Sequence, residues 1–478
     1  NLGGAATIFR RGDLVAEASL HEIDGHTLAG PGGVIDRLGL AGQLEAVRTD
    51  DVYQIRGGPL PGPLTLPASF DGIEAELARA FPQARTGIAR HLRRLRRIEA
   101  ALGRLERRPG LAAALAGLAD GSLFSVLGAA RQTLLAALDA DLAGHEGARL
   151  ALAGPIAYFD DDPARLSFLL YGGVWARYVT GGSFYLRVGS AALTRALARI
   201  VLDCGGRIER RADVTGITLD ARGRAAGVVW QPTDQDGAAP RSARAPVILG
   251  GAAPSALAAM LPQAARTPLL AAFAGLEPSI SLFSLTLGLD RPAAALGIDS
   301  YATFVLPDTL ARLADWPRAA AARAGPPGAA IPPYVIADYS RLDTRLGPGG
   351  PPHLVTICGV DRLAWWPLTD PAADADRRAA WIRALLADAD RRFPGFAGAV
   401  TAAHLATART MHHRLGTPEG EVYGFRPTPA RLFGRRPAAR SPVPGLYLAS
   451  AYTVSGGYAG AMHGGLMAAE AARADHPA

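Results

Sequence analysis

The chain has 478 residues, with 49% hydrophobic and 19% charged content. That is more than one simple core holds, so two domains are expected, and it excludes a disordered polar chain. The formal charge is +7, and because no lysine occurs, all 50 basic residues are arginine, which excludes Schiff-base and P-loop lysine chemistry. No run of eighteen uncharged apolar residues occurs, so no transmembrane helix is expected, and no secretory leader is expected from the opening at Asn1. Cys204 and Cys358 form no CxxC pattern and point to a reducing, cytoplasmic setting. His412 and His413 are adjacent and point apart on a helix or a strand, so no metal site is expected.

Residues 1–60 read as short strands between glycines. From about 72 to 145 the pattern turns helical: Ile88, Leu92, Leu95, Ile98, Leu102 and Leu105 recur at three- and four-residue spacing. The basic cluster RHLRRLRR (90–97) lies on that helix. It reads either as a solvated face or as an interfacial helix against anionic headgroups. A helix is expected over 190–203, capped by Gly205 and Gly206, then a strand RIERR (207–211). DVTGITLD, the turn ARGR and AAGVVWQP form a hairpin, and APVILGG (245–251) reads as a buried parallel strand. Further strands are expected at 278–289, 333–339 and 353–360, and a helix at 377–393. The chain then closes on strand GLYLAS, loop SGGYAG and an alanine-rich helix after Gly460.

That last motif puts glycines where a flat ligand can approach, and a helix N-terminus where negative charge is stabilised. Alone it reads equally as a packing turn. The opening NLGGAATIFRRGDLVAEASLHEIDG, the block YLRVGSAALTRALARIVLDCGGRI, and GTPEGEVYG after TARTMHHRL accompany it. Together these resemble the phytoene desaturase and retinol saturase family of FAD-dependent oxidoreductases. The resemblance is strong over 1–25, 181–260, 404–424 and 442–472, and weak where that family binds substrate. It departs in one respect: no GxGxxG follows any strand. The resemblance therefore implies a βαβ unit of roughly 30 residues before Asn1, without which FAD is held loosely.

The resemblance implies an α/β fold: a Rossmann-like FAD domain from 1–60, 181–262 and 405–478, interleaved with an α+β substrate domain from 61–180 and 263–404. It places FAD against Gly3, Gly4, Ala5, Arg11, Val214, Gly250, Ser450, Ala451, Gly457, Tyr458, Ala459, Ala461 and Met462. His21 and Glu22 are the polar candidates beside the reacting atoms; His21 reads equally as a turn residue bonded to backbone. The function implied is hydrogen transfer across a C–C bond of an isoprenoid, carotenoid or retinoid-like lipid, by a cytoplasmic protein with peripheral membrane contact and no nucleic-acid partner. Two other readings stand beside it. One is an amine-oxidase-like flavoenzyme on a polar substrate, for which AWW (364–366) is the aromatic candidate. The other is a cofactor-free binding or scaffold protein.

Overall fold

The computed structural model describes residues 2–30, 32–107, 117, 121–234, 237–346, 353–367, 370–433 and 437–477. Its largest unit is a seven-stranded sheet, in the order Val400–Ala406, Ser281–Leu289, His353–Asp361, Tyr334–Asp338, Ala302–Leu306, Asp51–Gly57, Leu64–Pro67. Neighbours are antiparallel except Ala302–Leu306 with Asp51–Gly57. Asp51–Gly57 thus belongs to this sheet rather than with the N-terminal segment expected to carry it.

Side chains alternate across the sheet with period two. Phe283, Leu285, Leu287, Val355, Ile357, Tyr334 and Ile336 face a core closed by Trp381, Leu385 and Phe393, from helix Pro371–Arg392 and its end. Leu354, Cys358, Val360, Val335, Ala337 and Phe304 face the other way, into the main core under a helical layer. In that layer the helix Arg85–Arg107 buries Ile88, Leu92, Leu95 and Ile98, the stripe read from the sequence. It crosses helix Phe168–Gly181 closely: a Cβ on Gly172 would lie 2.6 Å from Leu95 Cδ2. The Leu105 side chain, the last of the stripe, lies outside the described residues.

The basic cluster is partly spoken for. Arg90, Arg94 and His91 converge on the buried Asp141, Arg96 pairs with Asp71, and Arg93 and Arg97 stay exposed. Within AWW, Trp366 is buried, with its indole N–H on Asp361 and its ring near Arg323 and Arg377. That makes it a core residue.

The remaining sheets are a hairpin Ile8–Arg11/Leu14–Glu17, a three-stranded antiparallel sheet Ile23–Asp24, Ser183–Leu186, Ala46–Arg48, an antiparallel meander Ala212–Leu219, Ala225–Pro232, Arg241–Arg244, and a parallel pair Ile248–Gly250 with Leu446–Leu448. Helix Ser190–Asp203 falls where the sequence places it. RIERR does not form a strand: residues 207–211 join no ladder and are mostly exposed. An isolated strand has no partner for its backbone groups, so it stays irregular. The run 245–251 is also less buried than its composition implies, with Leu249 49% exposed on one face of the pair. No helix among the described residues is long and apolar enough to cross a membrane.

Candidate active site

The two parallel strands end side by side, and the Ala449 N–H donates to Gly250 O at 2.8 Å. Ligands of open parallel sheets sit beyond such carboxyl ends. Here the chain turns through Ser450 and Ala451, with Thr453 Oγ1 donating to Ser450 O at 2.8 Å. The terminal helix, Gly457–Asp475, then lies back on that turn: a Cβ on Gly464 would lie 2.3 Å from Ser450 O.

The glycines of the loop divide by role. Added Cβ atoms would lie 2.5 Å from Tyr423 Cβ at Gly456 and 1.8 Å from Ser455 O at Gly460, so these two serve protein packing. Gly457 differs. Its φ is +76, and a Cβ there would meet nothing within 4 Å. Gly457 and Ala461 are exposed, Tyr458, Ala459 and Met462 partly so, and no side chain caps the helix start. The helix begins at Gly457, four residues before the start expected at Ala461. This open cradle of small residues at an uncapped, electropositive helix end fits the ring system and polyol of a flavin.

The N-terminal segment meets that cradle. Ser19 Oγ donates to Ala5 O at 2.8 Å and lies 2.7 Å from Tyr458 Oη. With the Ser19 proton on Ala5, Tyr458 is the donor between them. Gly3, at φ +87, packs on Thr194 of helix Ser190–Asp203, while Gly4 faces open space. Beneath them Glu17 is buried and accepts five hydrogen bonds: from the Ser19 and Leu20 N–H groups, the Ser190 N–H and hydroxyl, and Tyr185. Burial nonetheless pushes its carboxyl above the usual range. Glu17 ties the hairpin to helix Ser190–Asp203 and fixes the turn that presents His21 and Glu22.

Those two residues line a tyrosine-walled recess. Tyr301 donates to His21 O at 2.5 Å, and Tyr339 Oη lies 3.2 Å from Leu20 O and 3.3 Å from His21 Nδ1. The His21 ring sits 5.8 Å from that of Tyr158. Ser183 Oγ donates to Glu22 Oε2 at 2.6 Å, and Tyr178 to Glu22 O at 3.4 Å. Burial holds His21 down at about 4, so its imidazole is neutral. Burial, helped by the Asp51 charge, lifts Glu22 to about 7. Cys358, reaching the same side from the sheet, is pushed up to about 12 and stays a thiol. His21 thus meets tyrosine hydroxyls through both its carbonyl and its ring, and among the described residues it makes no hydrogen bond to backbone.

Of the residues expected at the cofactor, the structure gathers Gly250, Ser450, Ala451, Gly457, Tyr458, Ala459, Ala461 and Met462 around the ends of the parallel strands, with Gly3, Gly4 and Ala5 joined through Ser19. Gly250 is buried and packs against Leu257, where a Cβ would lie at 2.7 Å. Arg11 is set apart. It closes the hairpin opposite Leu14, at the end away from Glu17, with its guanidinium 5.9 Å from the Phe9 ring. Val214 pairs with Trp230 beside a bulge in the meander. Glu17, Ser19, Tyr158, Tyr178, Tyr301 and Tyr339 were not singled out by sequence reasoning. They are scattered over more than 300 positions; Glu17 and Ser19 stand in the opening block and Tyr423 in GTPEGEVYG, but nothing in those blocks marks them apart from their neighbours.

The family of flavin-containing amine oxidoreductases matches residues 106–474. Among solved structures, an oxidoreductase from Methanosarcina mazei is 15% identical with a TM-score of 0.60, covering 98% of this chain and 92% of its own. Cyclohexylamine oxidase from Brevibacterium oxydans is 16% identical with a TM-score of 0.52, covering 94% and 86%. A putrescine oxidase bound to putrescine is 12% identical with a TM-score of 0.60, covering 99% and 90%. At these identities the likenesses speak to fold. No curated protein matches the sequence. The flavin cradle and the family match together displace the cofactor-free reading: the chain belongs to the flavin-containing amine oxidoreductases, FAD-dependent enzymes of α/β fold.

Proposed function

We propose that this flavoenzyme adds or removes hydrogen across a C–C bond of an uncharged, lipophilic substrate of isoprenoid type, held in the recess around His21 and Glu22. The carrying observation is that this recess offers aromatic walls and no committed charge. His21 is neutral, Cys358 is a thiol, and Glu22 titrates at about 7. The other buried carboxyls nearby are engaged: Glu17 by five donors, and Asp51 by Ser300 Oγ at 2.7 Å. An alkylammonium ion entering here would meet only Glu22, whose proton must leave before the carboxylate can offset the ion's desolvation.

Bound flavin supplies the two-electron chemistry. The chain's own residues exclude water, orient the substrate between tyrosine rings, and hold a proton at the Glu22 carboxyl, whose affinity suits transfer near neutral pH. A lipophilic substrate also accords with peripheral membrane contact. Helix Ser122–Ala130 exposes Phe124 (63%) and Leu127 (51%) beside the helix carrying exposed Arg93 and Arg97.

A second reading, oxidation of a neutral amine, is favoured by the tyrosine rings and by the substrates named for the cyclohexylamine and putrescine oxidases. Product analysis separates the two: a carbon–carbon bond changed by a pair of hydrogens in one case, an imine or aldehyde in the other.

A further inference from the structure

The loop 422–427 touches both halves of the site. On one side it packs on the flavin turn. A Cβ on Gly424, at φ +72, would lie 3.3 Å from the Ala451 carbonyl carbon, and one on Gly456 would lie 2.5 Å from Tyr423 Cβ. The Phe425 ring stands edge-on to Tyr452 at 5.0 Å. Arg431 fastens loop and turn together, donating to Phe425 O, Tyr452 O and Val454 O.

On its other side the loop meets the chain leaving the tyrosine wall. The 3-10 helix Gly154–Tyr158 sets Tyr158 beside His21, and Asp160 and Asp161 follow almost at once. One guanidinium reaches both carboxylates: Arg426 Nε lies 3.1 Å from Asp160 Oδ2, and Arg426 Nη2 donates to Asp161 Oδ1 at 2.9 Å. All three side chains are buried. The carboxylates are anchored in turn. Asp160 Oδ1 accepts the Asp161 and Asp162 N–H groups, and Asp161 accepts Nε and Nη2 of Arg362, just past the sheet strand His353–Asp361.

A buried ion pair adds little net stability over well-packed apolar side chains, because desolvation offsets the attraction. A planar guanidinium between two anchored carboxylates supplies a fixed geometry instead. Here it fixes the flavin turn against the tyrosine wall. We infer, on the reading that cradle and recess form one active site, that Arg426 is a positioning residue coupling the two. It sets how a substrate held in the recess stands against the flavin, while touching neither. Hydrogen transfer needs close, aligned approach, so a small displacement costs a large factor in rate.

The test compares FAD-loaded with FAD-stripped protein at pH 8, above the value of about 7 to which burial lifts Asp160. Arg426→Lys keeps the charge without the fork. A double variant, Arg426→Gln with Asp160→Asn, removes one charge pair and leaves Asp161 to Arg362, so no buried charge is orphaned. In the wild type, FAD should slow amide exchange at Asp161 and Asp162, far along the chain from the flavin turn. Both variants should keep full FAD content and an unchanged flavin spectrum, yet lose that slowing. With farnesol and cyclohexylamine as probes, anaerobic electron exchange with the flavin should fall roughly tenfold or more in the variants, with the probe's Kd unchanged. Unchanged slowing, or an unchanged rate, in a variant that folds would confine Arg426 to the fold and overturn the positioning role. Loss of FAD or of folded protein in both variants would overturn it too. If neither probe exchanges electrons with wild-type flavin, the substrate reading fails by itself, and the amide comparison alone decides for or against Arg426.

Discussion

The hydroxyls of Ser19 and Tyr458 lie 2.7 Å apart across 439 residues of chain. This bond joins the N-terminal turn to the start of the terminal helix, and it sets the width of the opening between them. Tyr458→Phe should therefore lower stability by about 1 kcal/mol in urea unfolding. It should also speed flavin loss on dilution. A variant with unchanged flavin retention would mean the contact does not shape the cradle.

Gly457 and Gly464 sit about two turns apart on the terminal helix and should fail differently. At Gly457 a Cβ meets open space but φ is +76, so Gly457→Val strains one residue and intrudes on the cradle. Flavin content should collapse while far-UV circular dichroism is kept. At Gly464 a Cβ would press on the Ser450 carbonyl at 2.3 Å, so Gly464→Val should unfold the terminal helix from its strand and reduce soluble yield. The same loss in both variants would remove the distinction between a ligand glycine and a packing glycine.

His21 and Glu22 give opposite pH dependences. His21 is held at about 4 against 6.5 in the unfolded chain, so the unfolded state binds the extra proton and stability rises as pH increases through that window. Glu22 is lifted from 4.5 to about 7, so the folded state binds the extra proton and stability falls as pH rises from 4.5 to about 7. The two slopes oppose each other wherever the windows overlap. Relative to wild type, Glu22→Gln should tilt the stability profile upward with pH, by up to about 1.4 kcal/mol per unit. His21→Asn should tilt it downward. Urea midpoints measured across the window decide it, and parallel profiles for all three proteins would contradict the buried placement of these groups.

Membrane contact, if made by the Ser122–Ala130 helix, needs its exposed apolar residues. The protein should float with anionic vesicles at low salt and less at high salt. The double variant Phe124→Ser, Leu127→Ser should stay in solution while keeping its flavin. Equal flotation by both proteins would assign contact elsewhere, and no flotation at all would leave the helix face simply solvated.

Where the sequence was legible, local pattern and local structure coincided. The stripe Ile88–Leu92–Leu95–Ile98 is a helix-period signal for a core face, and helix Ser190–Asp203 carries its own glycine stop. The glycine turn into the terminal helix was legible because its loop is contiguous. The recess was not: its walls come from the N-terminal turn, a 3-10 helix, two sheet strands and the GTPEGEVYG loop, and no spacing along the chain relates Tyr158 to Tyr339 or His21. RIERR was misread for a related reason. Its composition suits a strand, but strand formation depends on a neighbour, and none of the described residues supplies one.

The central claim is that the recess serves carbon–carbon redox on an uncharged substrate. The most direct measurement is an anaerobic single-turnover assay of the FAD-loaded protein, run from both the oxidised and the reduced flavin. Isoprenoid probes are set beside cyclohexylamine and putrescine, with products identified by mass. An isoprenoid should change the flavin redox state and leave with a pair of hydrogens gained or lost, while neither amine reacts. Flavin bleaching by an amine, with imine or aldehyde formed and every isoprenoid inert, would contradict it.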